Sequence, residues 1–358
     1  MTAQLDSVPK VSVVIGTHNR CDRLPVVIQS LLAQQADDFS YEVIIVDNNS
    51  TDRTREVVES FIARGHENLR YIFEPRQGVS YARNTGIGCA RASVIAFTDD
   101  DVCVTSNWIA TIWRALDQHP EVDFVGGKVL PRYECAPPAW LTREHWSPLA
   151  ITDFGDAPFY VDAENPRCLV AANLGVRRIA FAQVGLFAPE FPRSQDHEWE
   201  LRVWNAGRRG MYVPEIIIWA DVQAERLTKT YHRKWHNAHG KYCANMQLEE
   251  RTDPQGHLRI EPPDLTKLYG TPGYVYRQIV SHIKQLFIAT LRRREEIAFY
   301  NEGELRYYIN YICERYWRTK AERQHSHLTE IWKFARDMHR KRRRALVTAN
   351  SNRGETSD

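Results

Sequence analysis

Apolar positions along this chain alternate between two periods. From Val11 the run VSVVIGTHNR is short, β-branched and apolar and stops at a polar loop holding a glycine, the pattern of a buried parallel strand. Leu24, Val27, Ile28, Leu31 and Leu32 then fall at helical spacing. YEVIIVDNNSTDRT repeats the plan of strand, polar loop and helix, and LRYIFE through GVSYARNTGIGCA repeats it again. SVIAFTDDD is a fourth strand, ending in three carboxylates before a helical pattern from Trp108 to Leu116. Strand alternating with helix predicts an α/β fold: a mostly parallel, doubly wound sheet flanked by helices.

The section 131–166 breaks the alternation. It is rich in Pro, Trp and Asp, and predicts irregular loops over the carboxyl edge of the sheet, where an acceptor would be held. Regular patterns return with CLVAANLGVRR, the helical QDHEWELRVWNAG and the apolar MYVPEIIIW. The change of composition near Asp221 divides the chain into a main α/β domain over 1–225, a helical extension over 226–345 and a tail over 346–358 expected to lack order. In the extension, DPQGHLRIEPPD predicts a loop and YVYRQIVSHIKQLFIATL a helix with basic residues between its apolar ones. A second helix is expected over Glu304 to Arg318.

With 358 residues, 43% hydrophobic and 26% charged, the chain can bury one large core plus an appendage. Lys+Arg 47 against Asp+Glu 45 is too balanced for a nucleic-acid partner. Cysteines 21, 89, 103, 135, 168, 243 and 313 show neither paired metal-ligand spacing nor the density of a disulfide scaffold, so they read as reduced thiols. MTAQLDSVPK has no apolar run behind a basic segment, and no stretch reaches the roughly 18 apolar residues of a spanning helix. The expectation is a cytoplasmic protein.

Ligands of an open α/β sheet sit outside the carboxyl ends of its strands. The loops there supply Thr17, His18, Asn19 and Arg20, then Asp47, Asn48 and Asn49, then Arg83 and Asn84, then Asp99, Asp100 and Asp101. Three consecutive carboxylates repel one another unless a cation or donor groups offset them. A divalent metal does so, and oxygen ligands suit Mg²⁺ or Mn²⁺ with phosphate completing the shell, which points to a diphosphate substrate. The competing reading is a solvated turn, or a cap for the helix at Trp108. Asp47 both turns the chain and is placed to accept hydrogen bonds from a nucleoside. GTHNRCDR lacks the later glycines of GxGxxG, which argues against a Rossmann dehydrogenase, and no P-loop occurs.

Together, VSVVIGTHNR, VIIVDNNSTDRT, GVSYARNTGIGCA, VIAFTDDD and QDHEWELRVWNAG resemble, in order and spacing, the family 2 glycosyltransferases of the GT-A fold, over about residues 8 to 225. The resemblance implies an inverting, metal-dependent transfer of a sugar from a nucleotide-diphosphate sugar donor to an acceptor hydroxyl, in cell-surface glycan or glycolipid synthesis. It implies donor contacts at Thr17, Asn19, Arg20, Asp47, Asn49, Gly78, Arg83, Asp99 and Asp100, with Thr17 and Asp47 at the nucleobase or ribose and Arg83 at the diphosphate. In that pattern Asp101 would be the first ligand of Mn²⁺ or Mg²⁺, Asp99 would lie closer to the ribose or to the metal or its water, and Asp100 would help orient the sugar. SQDHEWELR resembles the family's ED segment with Gln195 where glutamate is usual, so Asp196 inherits the role of general base. By position alone, Asp196 would cap the helix holding Trp199 and Leu201.

Two departures stand out. Many GT-A enzymes place a metal-binding histidine after the strand that follows the ED helix, but here IIIW runs into Ala220 and Asp221. Asp221, or His232, His236 or His239 folded back, would have to serve; the histidines otherwise read as surface residues, and none is assigned. The processive QxxRW signature is absent, HRKW at 232–235 not being that motif, so transfer of a single sugar is expected. Trp140, Trp146, Trp199, Trp204 and Trp235 could stack on sugar rings, with core packing the rival reading for most. The basic amphipathic helices after Tyr274 and the RKRRR run could hold the protein against the anionic inner face of a membrane, where a lipid-linked acceptor is presented; solvated helix faces explain the same charges. The alternatives to a transferase are a sugar-nucleotide nucleotidyltransferase, whose glycine-rich basic loop is missing, and a non-catalytic nucleotide-sugar-binding module. The acceptor's identity and the oligomeric state leave no mark in the sequence.

Overall fold

Val11, Val13 and Ile15 alternate with Val14 along the first strand, and all four are fully buried, so both faces of the sheet must be covered. A computed structural model of the chain describes residues 8–36, 38–253, 257–259, 265–320, 327 and 329–340. The basic run after Arg340, the tail from residue 346 and most of the DPQGHLRIEPPD segment lie outside them. The chain divides between Tyr231 and His232 into two units.

The first unit opens with β1 (Val11–Thr17), α1 (Leu24–Leu32), β2 (Tyr41–Asp47), α2 (Thr54–Ile62), β3 (Leu69–Phe73), α3 (Val79–Cys89) and β4 (Val94–Thr98). After the three aspartates come β5 (Val102–Val104), α4 (Trp108–Gln118), β6 (Phe124–Tyr133), β7 (Phe159–Val161), β8 (Asn173–Arg177), α5 (Arg178–Val184), α6 (Gln195–Asn205) and β9 (Gly210–Val222). The strands lie in the order β3-β2-β1-β4-β8-β6-β9-β5, with β7 also on β9. The half from β3 to β4 is parallel, as expected from the βαβ repeats, and β6 runs parallel to β9. β8 is antiparallel to both β4 and β6.

One face packs α1, α2 and α4 against Val11, Val13 and Ile15, through Leu24, Ile28, Val58, Phe61, Trp108 and Ile112. The other takes α3, where a Cβ on Gly86 would lie 2.2 Å from Val14 Cγ1, and Phe97 meets Phe181 and Phe187 edge-on. Trp199 of α6 joins that cluster at 5.0 Å from the Phe181 ring. β6 continues past residue 131 into the stretch expected to be irregular, carried by a bulge between Gly126 and Lys128. The rest of that stretch holds the 3₁₀ turns Arg143–His145 and Ser147–Leu149 and the short β7.

This topology decides where the site is. Parallel register sets Thr17 beside Asp47 and Asp47 beside Phe73 at one rim. Because β8 runs the other way, its first residue, Asn173, pairs with Thr98, the last residue of β4. The segment entering β8 therefore belongs to the same rim as the three aspartates. Asn173 fixes that entry, accepting from Trp108 Nε1 (2.7 Å) and donating to the carbonyls of Lys128 and Ile216.

The second unit is built on α7 (Lys229–Met246), α8 (Leu248–Arg251), the pair β10 (Lys267–Leu268) and β11 (Thr271–Pro272), α9 (Gly273–Leu291) and α10 (Glu295–Arg318), with residues 329–340 helical. α10 starts at Glu295 rather than the expected Glu304. Two adjacent carboxylates inside this unit are paired: Glu249 accepts from Tyr274 (2.5 Å) and Tyr307 (2.7 Å), and Glu250 from Tyr311, with Arg315 Nε 2.5 Å from its Oε1. The surface reading of the histidines fails for His232, which is fully buried with its ring near Phe299. His239 stacks on Trp235 at 4.3 Å, and His236 lies against Gly303, where a Cβ would fall 2.7 Å from Nε2.

Candidate active site

The β1, β2 and β3 loops are tied together before any ligand is considered. Asn48 donates to the Arg76 carbonyl (2.7 Å) and accepts from the Gly78 N–H (2.7 Å), while its own N–H reaches the Thr17 carbonyl (2.8 Å). His18 Nδ1 lies 2.9 Å from the Asn48 carbonyl. Asn19 accepts from the Thr51 N–H (2.8 Å) and, like Asn49, has positive φ (52° and 63°), a conformation that asparagine adopts more readily than most residues. Gly78, at φ 141°, takes a backbone conformation that side chains disfavour and leads into α3. Asp47 is buried, with Oδ1 bound by the Ser50 N–H (2.9 Å) and Oδ2 by the Tyr71 hydroxyl (2.7 Å), so it braces the loop whatever else it does.

The aspartates after β4 have different surroundings. Asp99 pairs with Arg83 at 2.8 Å. Arg83 is buried against the Phe187 ring, and its Nη1 has no hydrogen-bond acceptor among the described residues. Asp100 accepts from the Thr17 hydroxyl at 2.7 Å. Burial pushes the Asp100 carboxyl up to about 6, with repulsion from Asp101 and Asp99 adding to it and the Thr17 bond and the Arg20 charge pulling back. Burial likewise raises Asp101, Asp99 adds repulsion, and Arg226, 3.9 Å away, and Arg20 offset part of it.

Burial and mutual repulsion of this kind, which raise the proton affinity of Asp100 and Asp101, are what a bound cation would relieve. No cluster of three or more His, Cys, Asp or Glu able to hold a metal occurs among the described residues. Mg²⁺ commonly takes only one or two carboxylates, phosphate and water completing its shell, so Asp101 with Asp99 fits in charge and number. A cleft of about 340 Å³ opens beside them, lined by Asp22, Arg23, Asp100, Asp101, Arg132 and Asp221 among others. Asp221 donates its N–H to the Asp101 carbonyl (2.9 Å), and its carboxylate is held by Arg132 at 2.5 Å. Arg132 was not a sequence candidate: it sits at the end of β6, where the pattern predicted loop.

Asp196 follows Ser194, whose φ is 59°, in the first turn of α6. Its Oδ2 accepts the Ala171 N–H (3.0 Å) and its Oδ1 the His197 N–H (2.9 Å). Ala171 lies two residues ahead of Asn173, so the hydrogen bond fastens Asp196 to the rim that carries Asp99, Asp100 and Asp101. One turn further on, Glu200 is fully buried with Oε1 bound by the Leu169 N–H (2.9 Å). Burial, and then the Asp196 charge, hold its carboxyl well above the usual range. Trp199 and Trp204 are core residues and Trp140 is buried, while Trp146 packs on the cluster of Leu149, Ile151, Val222 and Leu227.

A mostly parallel sheet flanked by helices, with Asp47, the aspartate triplet and the Asp196 carboxylate at one rim, defines a GT-A-like fold. Residues 12–185 match the family described as glycosyl transferase family 2. Over that segment, which runs from β1 through α5, the chain is similar to that family. Glycosyltransferase AglE of Haloferax volcanii is 27% identical over 212 residues, 59% of this chain and 66% of that protein. The glucosyl-dolichyl phosphate glucuronosyltransferase of the same organism is 26% identical over 189 residues, 52% of this chain and 58% of that one. The chain thus spans less than two thirds of the length of either relative. Among solved structures, S. aureus TarS 1-349 in complex with UDP-GlcNAc shares the fold at a TM-score of 0.51 and 18% identity, over 82% of this chain and 90% of that one.

Proposed function

We propose that this protein is an inverting glycosyltransferase that moves a single sugar from a nucleoside diphosphate donor to an acceptor hydroxyl. The observation that carries the proposal is the shared rim: Asp196 is fastened through Ala171 to the segment entering β8, the strand paired with β4, and Asp99, Asp100 and Asp101 directly follow β4.

In this reading the donor lies over the β1 and β2 loops with its diphosphate toward Arg83, whose unpartnered buried Nη1 supplies a charged donor. Asp101, with Asp99, would hold Mn²⁺ or Mg²⁺, which when bound offsets negative charge on the departing diphosphate. Asp196 accepts the acceptor's hydroxyl proton; the backbone bonds at its two oxygens fix its orientation and leave lone pairs for that proton. The acceptor oxygen bonds to the anomeric carbon as the bond to the diphosphate breaks on the opposite face, inverting the centre. A relative named for glucosyl-dolichyl phosphate supports a lipid-linked acceptor, and with it a setting in cell-surface glycan or glycolipid synthesis.

The test is turnover of UDP-, GDP- and dTDP-sugars with Mn²⁺ or Mg²⁺, starting with UDP-GlcNAc. Asp196→Asn is expected to lower kcat by about 10²- to 10⁴-fold while a thermal shift still reports donor binding. Turnover is expected to require the metal and to be lost in Asp101→Ala. Wild-type turnover in Asp196→Asn would overturn the assignment.

A further inference from the structure

α9 carries apolar residues on the side it buries and on the side it does not. Val275 and Ala289 are buried, yet Val280, Ile283, Phe287 and Leu291 are 67%, 54%, 64% and 68% exposed. At 3.6 residues per turn these four fall within an arc of about 80°, facing away from Val275 and Ala289. Arg277 and Lys284 flank the stripe on one side, and Arg292, Arg293 and Arg294 continue it at the carboxyl end, all exposed. Gly273–Leu291 contains no Asp or Glu.

A second copy of the chain is a poor occupant for this face. An antiparallel two-fold pairing would bring the basic edges that carry Arg277 and Lys284 to the same side of the interface, with no carboxylate on the helix to offset them. An anionic lipid surface satisfies both halves of the pattern: acyl chains take the stripe and headgroups the basic edge. Among the described residues no helix is long and apolar enough to cross a membrane, so α9 would lie in the interface. We propose that the exposed face of α9 docks this protein onto anionic bilayers, through Val280, Ile283, Phe287 and Leu291 with Arg277 and Lys284 at their edge.

The test is flotation of the full chain with vesicles of phosphatidylcholine mixed with phosphatidylglycerol, against phosphatidylcholine alone. Binding is read without any sugar transfer, so it stands or falls apart from the catalytic proposal. The wild type is expected to float with the anionic vesicles only, and less at high salt. Arg277→Gln with Lys284→Gln is expected to weaken partition about 30-fold. Phe287→Glu with Leu291→Glu is expected to abolish it, with circular dichroism and melting unchanged because both side chains are exposed. The proposal is overturned if the wild type stays behind, if binding survives both double variants, or if light scattering shows a dimer that Phe287→Glu dissociates.

Discussion

Glu200 is held by an amide from a distant segment and by the walls of the core, on the face of its helix that Val203 and Trp204 also bury. Its carboxyl binds protons more tightly in the folded chain than in the unfolded one, where the ordinary value is 4.5. Between those two values the native state binds more protons, so this group's contribution to stability is full below 4.5 and is lost as pH rises. Glu200→Gln removes that dependence. The melting temperature of the variant relative to wild type is expected to climb as pH is raised above 4.5, and a difference that stays flat would contradict the burial described. Among the candidates at the rim, Thr17, Arg83 and the aspartates were legible because strand-end loops converge whatever the side chains do. Glu200 and Arg132 were not: helical spacing sets Glu200 beside Val203 and Trp204 but does not say that the Leu169 N–H will meet it, and an arginine in a proline-rich stretch carries no local signal of what it will touch.

The bulge in β6 shows what an element can demand of one position. A Cβ on Gly127 would lie 2.1 Å from the Ile216 carbonyl oxygen and 2.5 Å from that of Val213, both backbone atoms of β9. Gly127→Ala is expected to cost about 1–3 kcal/mol or more, seen as a lower urea midpoint, and to disturb the strand end that carries Arg132. An unchanged midpoint would mean the bulge can shift register freely. The parallel half of the sheet was readable because strands buried on both faces are continuous apolar runs. β5, three residues long, was too short to register, and the glycine pair hid β6. α7 escaped for another reason: it packs through rings, as Trp235 does on His239, and aromatic and histidine contacts do not show as apolar periodicity.

Across the whole molecule all seven cysteines are free thiols, with Cys135 and Cys313 exposed and Cys243 buried. Thiol titration without reductant is therefore expected to return seven groups per chain in denaturant, Cys135 and Cys313 reacting first in the native state and Cys243 last. Reductant should leave the melting temperature where it was, and a reductant-sensitive transition would speak for pairing. At this scale the web centred on Asn48 has a kinetic meaning as well. Walls already knitted to one another have little configurational freedom left to surrender, so capture of the proposed nucleotide donor would resemble a collision with a rigid receptor. In stopped flow, association should climb in proportion to nucleotide concentration in a single phase, and cutting the knot with Asn48→Ala should add a slower one.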